Sequence, residues 1–425
     1  MNPRIDIPLF IFGAMVGAIA NWAICQLRFY GMLLHSPWGP QDPEVGPRKA
    51  LDYVPILGWL SLRRDSRVLG RGFWVRPFLI EVGFAVGAVW FYHWLAQGGL
   101  TGMPPREGDL EIWYAAFTLL FVLLAIATFI DLDEFTIPDW VTVPGTLAAI
   151  VFAIAAPNYR LPEQLNGLAP DYRVVHFMTP HDLAEAEWRF DWRGLAAALA
   201  IVWVWAVALL PMTFDFRRGW KHGFRILLAS LVRPARRTAC AIRVRQRRRN
   251  ASLYVLTFLA MALSVALAIV WFGMGPRWDS LLGALFGLAM GGGMTWGVRL
   301  IGSYAYGREA MGFGDVTLMA MIGAFLGWQA VLIAFVAAPF AALLIVGIQF
   351  LTTGKNVLAF GPYLALGAVF VVLGWSRIWP YAAENFFQMP HRITLTILAS
   401  CLAAIGPMLW GIRLFRGGDD EVDEK

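Results

Sequence analysis

A chain of 425 residues that is 58% hydrophobic and only 15% charged, with a mean hydropathy of +0.59, lies outside the range of soluble globular domains. Its long apolar runs do not alternate, which excludes a β-barrel. The net charge of +6 comes largely from residues 214–250, and beside an apolar run such charge reads as a topology and lipid-headgroup signal, with no nucleic-acid partner expected.

A membrane-crossing helix needs about 20 apolar residues, and such runs recur along the chain. They predict an all-α fold, a polytopic transmembrane bundle of about eleven spans. The starts fall near residues 7, 77, 112, 139, 193, 251, 280, 315, 329, 359 and 393, the eighth span being short. The first run, Ile7 to Tyr30, has only Arg4 before it and no small-residue cleavage site after it, so it reads as a retained helix. Cys25, Cys240 and Cys401 lie far apart and form no C-x-x-C pair, which argues against a disulfide framework or a thiolate zinc site.

Basic loops are held on the cytoplasmic side. The loop 28–76 carries Arg48, Lys49, Arg63, Arg64, Arg67 and Arg71, and 214–250 is denser still, with Arg217, Arg218, Arg236, Arg237, Arg243 and Arg245 among others against Asp215 alone. Residues 158–192 are acidic by contrast, with Glu163, Asp171, Asp182, Glu185, Glu187 and Asp191. This pattern predicts an outside N-terminus, with the C-terminal tail, including Asp419 to Glu424, in the cytoplasm. Small residues at four-residue spacing, Gly13 and Gly17 with Asn21, and Gly283, Gly287 and Gly291, read as stripes for close helix packing.

Four carboxylates crowd the junction of the third and fourth spans, in Ile130-Asp131-Leu132-Asp133-Glu134-Phe135-Thr136-Ile137-Pro138-Asp139. Ionisable groups at membrane depth are costly and therefore rare. Asp139 follows Pro138 and opens a helix, as a capping residue would. Asp131 falls at a helix C-terminus, where the macrodipole disfavours an anion, so capping does not account for it. Asp133 and Glu134 read either as site residues or as solvated surface acids. A second site, Met311-Gly312-Phe313-Gly314-Asp315-Val316-Thr317-Leu318, lies between the seventh and eighth spans, which span parity puts on the same face as Asp131. Gly312 and Gly314 permit non-helical backbone and close approach, and Asp315 has N-capping as its alternative role. Two carboxylates sharing a partly buried site can share one proton. One then serves as base towards a water and the other as acid towards a leaving amine, with no metal and no covalent intermediate.

These paired motifs resemble those of the type IV prepilin peptidases, or leader peptidases, whose pattern is I-D-x-D-x-x-x-I-P-D followed later by G-x-G-D. Gly17, Asn21, Pro55, Leu57, Trp59, Leu60, Arg76, Glu81, Gly323 to Gln329 and Phe360 to Tyr363 extend the resemblance over roughly residues 10–157 and 280–375. The resemblance implies Asp131 and Asp315 as catalytic residues, Asp133, Gly312, Gly314 and Asp139 as supporting ones, and no metal in the proteolytic site. It implies a location in the cytoplasmic (inner) membrane, with membrane lipids around the chain. The implied partners are prepilin-like precursors, type IV pilins or type II secretion pseudopilins, with a basic leader, a Gly before the cut and an apolar helix after it.

Three features depart from the family's pattern. Members with two C-x-x-C pairs after the first span hold zinc there and also methylate the new N-terminus with S-adenosylmethionine, yet Met32 to Arg76 contains no cysteine. Proteolysis implies no cofactor, and S-adenosylmethionine is implied only if methylation is retained. Thr317 stands where lysine is usual. Residues 158–279 read as an insertion with two extra spans, dividing the chain into 1–157, 158–279, 280–378 and 379–425. Two readings compete with an enzyme. One is an ion- or proton-coupled transporter, whose usual internal repeat is not visible here; the other is a non-catalytic membrane scaffold.

Overall fold

The computed structural model describes residues 3–27, 47–165, 171–174, 186–209, 240–273, 275–306, 311–353 and 359–387, with the single residues 396 and 400. Residues 214–239 of the basic loop, the span expected from 393 apart from residues 396 and 400, and the acidic tail lie outside the described residues. The chain forms two compact units, Met1–Glu187 with Gly275–Lys425, and Trp188–Met274.

In the first unit α1 (Pro3–Gln26) is followed by a loop with two short helices, α2 (Leu57–Leu62) and α3 (Ser66–Leu69), and then by α4 (Val75–Ala96), α5 (Asp109–Glu134) and α6 (Asp139–Ala155). After a hairpin of β1 (Pro162–Leu165) and β2 (Asp171–Val174), the second unit holds α7 (Trp192–Ala208) and α8 (Cys240–Gly273). The first unit resumes with α9 (Pro276–Tyr306), α10 (Phe313–Leu326), α11 (Trp328–Thr353) and α12 (Gly361–Ala382). These starts lie close to those expected, except that α8 begins well before residue 251. The run Arg243 to Arg249 is helical, as good helix formers allow.

Among the described residues six helical stretches are long and apolar enough to cross a membrane, Pro3–Gln26, Val75–Ala96, Asp109–Glu134, Tyr254–Gly273, Pro276–Tyr304 and Gly361–Asn385. This is the make-up of an integral membrane protein. The antiparallel hairpin is a departure from all-helical architecture. It pairs Pro162 with Val174 and Leu165 with Asp171, and is tied to the helix ends by Arg106 to Asp171, by Gln164 Nε2 to the Thr101 carbonyl at 2.6 Å, and by Tyr172 Oη to Asp109 Oδ2 at 2.8 Å.

The glycine stripes work as close-packing faces. A Cβ at Gly13 would lie 2.7 Å from Ala88 Cβ, and one at Gly17 would lie 2.7 Å from Glu81 Cα, so α1 presses directly on α4. Gly287 and Gly323 meet backbone to backbone, and Gly291 meets the Met319 carbonyl, which seats α10 on α9. Without a hydrophobic driving force between helices in lipid, such contacts supply the dispersion energy of association. α10 also packs on α6, α11 and α12, and every residue from Asp315 to Leu326 is buried.

Glu81, itself buried in α4, holds the described part of the loop between α1 and α4, residues 47–74. Its carboxylate accepts from Asn21 Nδ2 at 3.1 Å, Trp59 Nε1 at 2.7 Å and the Ile56 amide at 2.5 Å. Ile56 has φ 66 and ψ −58, with Leu57 N donating to the Pro55 carbonyl at 2.7 Å. This is the rare γ-turn, strained for a β-branched residue, and the Glu81 bond offsets the strain. Nearby, burial pushes the Asp52 carboxyl up, but bonds from Arg64 Nη2 at 2.5 Å, the Lys49 amide at 2.8 Å and Ser61 outweigh it and hold the pKa at about 2.

Replacing Glu81 with alanine strands three donors, at a cost of roughly 2 kcal/mol or more. Trypsin cleavage after the exposed Arg67 and Arg71 is expected to speed at least about tenfold in purified Glu81→Ala protein. A carboxyl whose folded pKa is depressed contributes stability that is complete above its unfolded value of 3.8 and is lost as pH falls through about 2. Loop protection is therefore expected to be flat from neutral pH down to about 5 and to fail between about 4 and 2, with Asp52→Asn removing that acid transition; an unchanged transition in the variant would assign it elsewhere.

Candidate active site

Asp131 lies in the last turn of α5, on the face that also buries Ala127 and Ile130. The helix stops because Phe135 turns left-handed, φ 53 and ψ 32, returning its amide to the Asp131 carbonyl at 2.9 Å, and because Pro138 follows in extended conformation. Ile137 is thereby carried inward between the two motifs. A Cβ at Gly314 would lie 2.8 Å from Ile137 Cβ, and one at Gly361 would lie 2.9 Å from Ile137 Cδ1. Both glycines are needed for the approach.

The anion that α5 disfavours at its C-terminus is met by the opposite end of another helix. Gly361, the first residue of α12, donates its amide to Asp131 Oδ2 at 3.0 Å, where the helix dipole is positive. Asp315 is placed by the same logic on a different helix. Gly312 caps α10 in extended conformation, φ −66 and ψ 153, and its amide hydrogen-bonds the Asp315 carboxylate. Asp315 is thus in the first turn and is not the N-cap residue, and Gly314 is helical; its small size serves the Ile137 contact and not an irregular backbone. Asp131 and Asp315 are 5% and 7% exposed and lie within electrostatic reach of one another.

Asp133, two residues from Asp131, points to another face. Arg76 Nη1 reaches its two oxygens at 2.8 and 2.9 Å, while Nη2 donates to the Phe129 carbonyl at 3.1 Å and the guanidinium covers the Phe129 ring at 4.7 Å. Asp133 therefore fastens the end of α5 to the start of α4. Asp139 is the first residue of α6 and is exposed, with Pro138 occupying the cap position. It favours the helix dipole without forming a side-chain cap bond. Thr317 Oγ1 donates back to the Gly314 carbonyl at 3.0 Å.

Arg299 was not singled out by sequence. From α9 its Nε donates to the Met311 carbonyl at 3.0 Å, and its guanidinium lies 5.6 Å from the Phe313 ring centroid, bracing the turn that presents Asp315. A cation inside an otherwise apolar helix was the available signal.

Residues 252–347 match the type IV leader peptidase family, a stretch that contains Asp315 but not Asp131. Over this stretch the chain is similar to the type IV leader peptidases. It is 34% identical over 238 residues to a prepilin leader peptidase/N-methyltransferase of Myxococcus xanthus, covering 54% of this chain and 65% of that protein. It is 38% identical over 114 residues to the protein of the same name from Pectobacterium carotovorum, covering 25% and 40%. A Dickeya chrysanthemi protein of that name is 41% identical over 111 residues, covering 24% and 38%. The chain thus spans less than two thirds of the length of each of these relatives, and no solved structure matches it.

A Cβ at Gly361 would lie 2.6 Å from Asp131 Oδ2, so Gly361→Ala must push the carboxylate or α12 aside. The expected cost is about 1–3 kcal/mol, seen as a lower unfolding temperature in detergent. Gly83, also in a helix but with open space around its Cβ position, is the control, and Gly83→Ala should be neutral or slightly stabilising.

Proposed function

We propose that the chain is a membrane-embedded aspartic endopeptidase that removes short leaders from prepilin-like precursors at the cytoplasmic face of the cytoplasmic membrane. The observation that carries this reading is the approach of Asp131 and Asp315, two buried carboxylates from distant parts of the chain, each supplied with a backbone amide at a helix N-terminus. The relatives' shared name supplies the substrate class, and the basic loops supply the membrane face. The finer topology, about eleven spans with the N-terminus outside, belongs to the same reading.

In the proposed cycle one carboxylate of the pair is ionised and takes a proton from a water poised against the scissile carbonyl. The other is protonated and delivers its proton as the tetrahedral intermediate forms, and the pair then protonates the departing amine. Gly361 N–H holds Asp131 and Gly312 N–H holds Asp315, so neither carboxylate has to reorganise during the reaction. Arg76 keeps Asp133 out of the pair, which leaves two carboxylates to share the proton.

The relatives' names also include N-methyltransferase activity. The cysteines that the resemblance associates with a zinc-bearing loop are absent from this sequence, and here Glu81 and the Asp52–Arg64 pair order the loop. The proposal is therefore limited to proteolysis.

Asp131→Asn and Asp315→Asn are each expected to abolish leader cleavage, by about three orders of magnitude or more, while insertion and abundance stay normal. The double variant should match either single one, because residues acting as a unit do not add. Asp139→Asn should be mild. In a reconstituted assay with a prepilin carrying a basic leader, the pH profile should show two apparent values belonging to the pair and not to either residue. Near-normal cleavage by both single variants would remove the mechanism, and point to a scaffold.

A further inference from the structure

The ends of the helices farthest from Asp131 and Asp315 converge on one short segment, residues 158–162. Trp113 Nε1, on α5, donates to the Asn158 carbonyl at 2.9 Å. Tyr159 Oη donates to the Ala324 carbonyl in the last turn of α10 at 3.1 Å. Arg160 Nη2 donates to the Ser280 carbonyl of α9 at 2.8 Å, and Trp375 Nε1, on α12, donates to the Pro162 carbonyl at 2.6 Å. The helices that bear Asp131, Asp315 and Gly361 are thus all tied, at their opposite ends, to the same five residues.

Arg160 is the unusual member. It is 1% exposed, its Nε makes no hydrogen bond, and among the described residues no carboxylate is bonded to it. A buried, uncompensated cation is expensive. Its guanidinium lies on Gly327, the residue that closes α10 with φ 92, since a Cβ there would fall 2.9 Å from Nη1. The C-terminal carbonyls of α10 carry the negative end of its dipole, and a cation placed there is favoured, most strongly where it is buried. The charge of Arg160 is therefore answered by the same helix whose other end carries Asp315.

α10 has 14 residues, so the two ends are about 21 Å apart along a rigid rod. It is buried on all sides and seated by backbone contacts at Gly287 and Gly291, so a shift at its C-terminus is transmitted along its axis and does not dissipate in a loop. Tyr159 and Arg160 lie outside residues 10–157 and 280–375, over which the sequence motifs resemble the family.

We propose that Tyr159 and Arg160 are positioning residues that fix the axial setting of α10, and through it Asp315, from the far end of the bundle. The inference rests on the peptidase reading for its kinetic arm only. The test compares Arg160→Met, Arg160→Lys and the wild type in nanodiscs by amide hydrogen exchange and by cleavage of a prepilin. In Arg160→Met, exchange over residues 313–318 should rise about tenfold, whereas α1 and α4 stay unchanged. Because small displacements of reacting groups are costly, kcat should fall about tenfold to a hundredfold with KM within about twofold. Arg160→Lys should recover part of both, since it restores the charge without the guanidinium fork.

Exchange that rises only at 323–327, or equally in every helix, would overturn the proposal, as would a loss expressed in KM alone. If Arg160→Met does not accumulate, Tyr159→Phe, which removes one bond to α10, is read in the same way. A rise of about threefold at 313–318 supports the proposal and an unchanged profile refutes it. A wild-type protein that cleaves nothing would count against the peptidase reading and leave the exchange result to judge the positioning role by itself.

Discussion

Two carboxylates brought together inside apolar helices repel each other and have lost their water. Much of the architecture around Asp131 and Asp315 offsets that cost. The compensation comes from backbone and not from cations. α12 begins at Gly361 against Asp131, α10 begins at Gly312 against Asp315, and in each case an amide at the positive end of a helix faces the anion. Arginines are present nearby, but they are committed elsewhere. Arg76 is bonded to Asp133, and Arg299 holds the Met311 carbonyl. A guanidinium on either carboxylate of the pair would favour its ionised form and oppose the proton sharing proposed above, whereas an amide supports the charge and is compatible with that proposal.

Such an arrangement requires helix ends to come closer than side chains normally permit, and glycine is the means. Gly314 and Gly361 admit Ile137 and Asp131, and Gly287 admits Gly323. The same spacing that packs the helices therefore also sets the site, so packing and chemistry cannot be mutated separately at these positions. Gly83 and Gly87, by contrast, face open space and carry no such constraint.

The sequence makes the two motifs legible because ionisable residues are conspicuous in apolar runs, and it makes helix positions legible because hydropathy reports them directly. What it hides is anything defined by convergence. Gly314 reads as a backbone breaker, and only the fold reveals a helical residue whose missing Cβ makes room for Ile137. Asp133 reads as a second site acid or a surface acid, and its commitment to Arg76 spans 57 residues of sequence. The strands Pro162–Leu165 and Asp171–Val174 lie in a charged segment without period-2 alternation. Their order comes from the Arg106, Asp109 and Thr101 contacts, which no local pattern announces. Arg160 looks like one more loop arginine in sequence, though it is among the most deeply buried charges in the first unit.

The first turns of α4 connect these separate features. Arg76 and Glu81 stand on the same helix, five residues apart, yet they act in opposite directions. Arg76 holds the C-terminal end of α5, where Asp131 resides, and Glu81 holds the strained turn at Ile56 and the ring of Trp59. Displacing the loop would pull on Glu81 and so on the helix that fixes Asp133. Since α1 is pressed on α4 at Gly17, with Asn21 bonded to both Pro77 and Glu81, α4 has little freedom to absorb the motion by tilting. The turn at Ile56 and the carboxylate of Asp133 are therefore held to one another through the first turns of α4, so a displacement at either end is carried to the other by helix backbone and does not dissipate in a flexible segment.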